Sequence, residues 1–130
     1  MRIASLTHEI VQPARYVKQS SSLDCVAIFK LRLTPVVGLR GICFANKVPG
    51  PEVEPRITAA IERGVMQFAT EREQEGRPVG SLRVAPVDIY VHPVDGRDSG
   101  FTLAAYFAMK QAFQTHGTLI DIEPEAKNET

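Results

Sequence analysis

The chain has 130 residues, 44% hydrophobic and 23% charged, with fifteen basic and fifteen acidic side chains and no net charge. That is enough chain for one domain with a proper core, and the balanced charge argues against a protein that coats nucleic acid over its whole surface. No apolar run is long enough to span a bilayer and no signal-peptide order opens the chain, so a cytoplasmic protein without membrane contact is expected.

In chain order, His8 to Gln12 and Ala14 to Gln19 are short β-branched or aromatic segments broken by Pro13, which predicts edge strands or extended chain. Asp24 to Thr34 is the clearest strand. Cys25, Ala27, Phe29, Leu31 and Leu33 alternate with Val26, Ile28, Lys30, Arg32 and Thr34, so the first set is expected on a core and the second on a wetter face. Pro35 to Gly38 supplies turn chemistry, and Arg40 to Asn46 reads as a further strand. Cys25 and Cys43, too few for a disulfide framework or an unaided zinc site, are expected reduced and buried in these strands.

A helix is expected to open near Pro55, since proline is tolerated in a first turn, with Ile57, Ala60, Ile61, Val65 and Phe68 on one face. Gly64 in its middle implies a close approach to another element, and Glu71 to Gly76 reads as a charged, fraying end. Ser81 to Val91 reads as a strand with a bulge or bend at Ala85-Pro86. Asp98 or Ser99 is placed to cap a second helix whose buried stripe is Phe101, Ala104, Ala105, Ala108, Ala112 and Phe113. Thr118 to Ile122 is a last short strand. Residues 1–124 thus read as one α+β domain, a two-layer sandwich of a mostly antiparallel sheet with two helices on one face, and residues 125–130 as a disordered polar tail.

The zero net charge hides an asymmetry. Residues 1–50 carry seven Lys/Arg against Glu9 and Asp24, or +5, and residues 51–130 carry eight against thirteen acids, or −5. Such a division gives one surface a positive field, or merely solvates two faces. Lys18, Gln19, Ser20, His92 and Arg97 are candidates for a polar tip that contacts RNA phosphate and unpaired bases, with Lys30 and Arg32 as a secondary basic face.

An ordinary solvated loop end and a strand face made soluble by charge are the alternatives. His92, Asp95, Asp98 and Ser99 lie close in sequence, but turn and helix-cap roles already account for such residues, so no enzyme is expected. No metal is expected either, because His8 and His116 lie elsewhere in the sequence and no Cys-x-x-Cys occurs. The chain has no Gly-x-x-x-x-Gly-Lys-Ser/Thr loop for a nucleotide, and no cofactor is expected.

His92-Pro93-Val94-Asp95-Gly96-Arg97-Asp98-Ser99-Gly100-Phe101 runs straight into the Ala-rich helical pattern that ends at Phe113. A histidine at a strand end, a polar turn and such a helix resemble the tip of domain IV of translational GTPases of the elongation factor G and elongation factor 2 type. Gly76-Arg77-Pro78-Val79, Phe44-Ala45-Asn46 followed by Gly50, Ile61-Glu62-Arg63-Gly64 and Glu123-Pro124 carry the likeness outward, without a gap from about Tyr16 to Phe113.

The resemblance implies a fold shared with a domain of a small-subunit ribosomal protein, with a left-handed β-α-β crossover, and a tip that meets transfer and messenger RNA. The loop Ser20-Ser21-Ser22-Leu23-Asp24 departs from the family's glycine-rich loop, and an aspartate there repels phosphate. Two functions remain open. One is a free-standing, non-catalytic domain that binds the ribosome or structured RNA, beside a separate GTPase. The other is a protein-interaction or homo-oligomerisation module that kept the fold and lost the RNA tip.

Overall fold

The computed structural model describes residues 2–18, 25–45, 53–90 and 98–122. Its elements are β1 (Arg2–Ser5), β2 (Ile10–Lys18), β3 (Cys25–Pro35), β4 (Ile42–Phe44), α1 (Pro55–Gln74), β5 (Leu82–Tyr90), α2 (Asp98–His116) and β6 (Thr118–Asp121). Four strands form a sheet in the order β2-β3-β5-β4, and β1 pairs with β6 in a separate antiparallel ribbon. Within the larger sheet β2, β3 and β5 run antiparallel, while β4 lies parallel to β5 through the α1 crossover.

Alternation on β3 decides which face is covered. Ala27, Phe29, Leu31 and Leu33 are buried, whereas Lys30 and Arg32 are exposed. Against the first set pack Ile57, Ala60, Ile61, Val65 and Phe68 of α1 and Phe101, Ala104, Ala105, Ala108, Met109, Ala112 and Phe113 of α2. The result is a two-layer α+β sandwich with both helices on one face of the sheet. At Gly64 the helices approach closely: a Cβ built there would stand 2.2 Å from the Thr102 carbonyl oxygen and 2.8 Å from the Ala105 Cβ. Glycine is therefore kept in spite of its helix cost of about 1 kcal/mol.

Several expectations need correction. Pro13 does not break β2, which runs unbroken from Ile10 to Lys18; it is an edge strand, where a residue lacking N–H need not interrupt the pairing. The irregularity of β5 falls at Asp88, not at Ala85-Pro86: Lys30 pairs with Val87 and Ile28 with Tyr90, and Asp88 takes φ +52°. Pro86 is accommodated because β4 pairs with β5 only as far as Val84, so among the described residues no β4 partner stands opposite Pro86.

The end of α1 does not fray. Gly76, at φ +77°, turns the chain so that the Arg77 N–H donates to the Arg72 carbonyl and the Gly76 N–H to that of Glu73, a Schellman closure. Cys43 is exposed on β4, an edge strand, rather than buried; the side chain of Cys25 lies outside the described residues. β1 is an element the sequence did not announce.

Candidate nucleic-acid interface

The two helices run parallel. Arg56 at the start of α1 pairs with Asp98 at the start of α2, the Thr102 hydroxyl donates to the Ala60 carbonyl (2.8 Å), and further along the Tyr106 hydroxyl donates to the Glu71 carboxylate. Each helix follows a strand running the opposite way, α1 after β4 and α2 after β5. Both helix N-termini therefore share one pole of the molecule with Lys18 at the end of β2, Cys25 at the start of β3 and Tyr90 at the end of β5.

Parallel helix dipoles place two partial positive charges at that pole. Asp98 in the first turn of α2 is favourable to that field, and its bond holds the Arg56 guanidinium above its ordinary range, with Glu54 (3.1 Å) adding to the effect. Asp98 therefore stands inside the first turn and binds Arg56 across the helix pair.

Of the expected tip residues, Lys18 is exposed and pairs with Cys25 in register. Gln19, Ser20, His92 and Arg97 lie outside the described residues, as do Asp95 and the departing loop Ser20 to Asp24. The residues that flank them, Lys18, Cys25, Tyr90 and Asp98, all stand at the same pole. His8 and His116, apart in sequence, meet elsewhere with ring centroids 5.9 Å apart. Among the described residues no group of three or more His, Cys, Asp or Glu side chains converges as a metal site. No helix is long and apolar enough to cross a membrane.

Lys30 and Arg32 do lie together on the face of the sheet turned away from the helices. They are not bare charges: Lys30 pairs with Asp88 at 3.5 Å and Arg32 with Glu9 at 3.8 Å. Register adds two cations that sequence reasoning passed over, Arg15 on β2 and Arg83 on β5. Their alternation with apolar neighbours signals an outward position, but only strand order and register bring them beside Lys30 and Arg32.

No family model matches the chain. Over 98 residues the chain is 29% identical to the elongation factor G-like proteins of two Mycobacterium tuberculosis strains, CDC 1551 / Oshkosh and ATCC 25618 / H37Rv. The match takes in 75% of this chain and 14% of each relative, so the chain spans about one seventh of the length of these curated relatives. A crystal structure of a protein from Thermus thermophilus superposes with a TM-score of 0.73 at 24% identity, over 91% of this chain and 18% of that one. The likeness to that structure is one of fold. In sequence, what the chain resembles is a single segment of a much longer elongation factor G-like protein.

Proposed function

We propose that the chain is a non-catalytic domain of the elongation factor G domain IV type, which binds the ribosome or structured RNA through the pole that bears both helix N-termini. The observation that supports this most is topological: the elements flanking Gln19-Ser20 and His92–Arg97 end at one pole, beside exposed Lys18. A cation, hydroxyl and amide groups and two helix N-termini are the means by which proteins hold phosphate. The likeness to the mycobacterial elongation factor G-like proteins supports a partner in translation. Recognition would be steric and electrostatic, in the cytoplasm, with any GTP-hydrolysing unit outside these 130 residues.

The test is ribosome co-sedimentation at low and high salt, with wild type and with His92→Ala combined with Arg97→Ala. Binding that falls with salt and is lost in the double variant is expected, because phosphate contacts release counterions. No sedimentation with ribosomes at low salt would sink the reading. A discrete dimer in light scattering would then favour the protein-interaction module.

A further inference from the structure

Both helices lie on one face of the four-stranded sheet, and no described element covers the other. Strand register arranges that open face in rows. From the helix-N-terminal pole onward they are Val17–Val26, Arg15–Ile28–Tyr90, Pro13–Lys30–Val87 (with Val87 only 8% exposed), Val11–Arg32–Ala85 and Thr34–Arg83–Cys43. Each row after the apolar Val17–Val26 carries one cation, which passes from the edge strand β2 through β3 to β5.

Same-face rows on a strand are separated by about 6.6 Å, so the stripe runs for about 20 Å. Its acids are Glu9 and Asp88, each held in an exposed pair with a nitrogen–oxygen distance of 3.5 Å or more, of the kind that water and salt readily loosen. Arg15 and Arg83 have no ion pair among the described residues. Tyr90, 48% exposed, stands in the same row as Arg15 at the pole end.

We infer that this face holds a segment of single-stranded RNA, its phosphates following Arg15, Lys30, Arg32 and Arg83 and one base stacked on Tyr90. The spacing is the reason. A line of cations at regular steps over an open sheet suits an extended polyanion better than a compact anion. An unpaired strand also offers the free base face that an exposed aromatic ring stacks upon. The apolar residues between the cations, Val11, Ile28 and Ala85, give the sugars and bases a floor without competing for phosphate. The inference rests on the RNA reading proposed above and extends the contact from the pole onto the sheet.

The test titrates a fluorescein-labelled single-stranded uridine 12-mer with the full chain at several salt concentrations, followed by anisotropy. Four phosphate contacts to a single strand give a slope of about −2.8 in log affinity against log salt, and Arg15→Gln with Arg83→Gln reduces its magnitude by about 1.4. Tyr90→Leu weakens binding by about fivefold or more and leaves the slope unchanged. A blank titration at low salt, or an unchanged slope in the arginine variant, overturns the inference. So does a dimer in light scattering that the same two substitutions disperse, since the face then belongs to a second copy. A blank titration beside intact, tip-dependent ribosome binding removes the stripe and leaves the pole. Oligonucleotide binding with the expected slopes and no ribosome binding supports the stripe and removes the pole.

Discussion

Tyr106 sits between the helices: its ring meets Phe68 edge-on and its hydroxyl donates to the Glu71 carboxylate, further along the seam from Arg56 and Asp98. That bond, followed by burial, raises the phenol above its ordinary value of 10.0, because both favour the neutral form. A group whose folded value is raised stabilises the fold below its unfolded value and loses that contribution as pH rises through the folded one. Tyr106→Phe keeps the ring contacts and removes only the bond, at a cost of about 1 kcal/mol. Urea melts should therefore place wild type above the variant by a constant margin from pH 7 to pH 9, and the margin should close as pH rises past 10. An equal margin at pH 8 and pH 11 would show that folding does not raise the phenol. Gly64, by contrast, was legible from sequence, because a glycine inside a strong helical pattern has few uses other than a close approach.

At the scale of elements, Asp88 sets the face of everything beyond it on β5. Its φ of +52° inserts one residue against β3, so Tyr90 shares the face of Lys30 and of buried Val87 while Ile89 turns toward the core. Aspartate tolerates that conformation and a β-branched residue does not. Asp88→Val should lose about 1–3 kcal/mol in chemical denaturation, and Asp88→Gly should stay within about 0.5 kcal/mol of wild type, since the exposed pair with Lys30 contributes little. Equal stability of the two variants would mean that the bulge relaxes freely.

The bulge is misplaced from sequence because Pro86 reads as the breaker, whereas among the described residues no β4 partner stands opposite it. β3 and the two helix faces were legible because each buries one full period, of two residues or of about 3.6. β1 was not: four residues, Arg2–Ser5, carry no period, and their strand exists only because β6 and the segment before β5 lie on either side. The basic stripe was half legible for a related reason. Lys30 and Arg32 share a strand, but Arg15 and Arg83 join them only through register.

The whole molecule has two poles. One gathers the helix N-termini; at the other, β1 and β6 tie the two ends of the described chain together, with Arg2 opposite Asp121 and Ser5 opposite Thr118. β1 is held on both sides: the Ala4 N–H donates to the Pro78 carbonyl and the Gly80 N–H to that of Ala4. Successive N–H groups of a strand point to opposite sides, so Ile3 and Ser5 face β6. Truncation after Gly117 removes β6, whose own residues are at most half-buried, and should cost only about 1–2 kcal/mol. Hydrogen exchange then gives a pattern that global loosening does not. The amides of Ile3 and Ser5 should lose protection while those of Ala4 and Gly80 retain it. Uniform loss along Arg2–Ser5 would mean instead that β6 is needed for β1 to dock at all, and that the ribbon closes as a single unit.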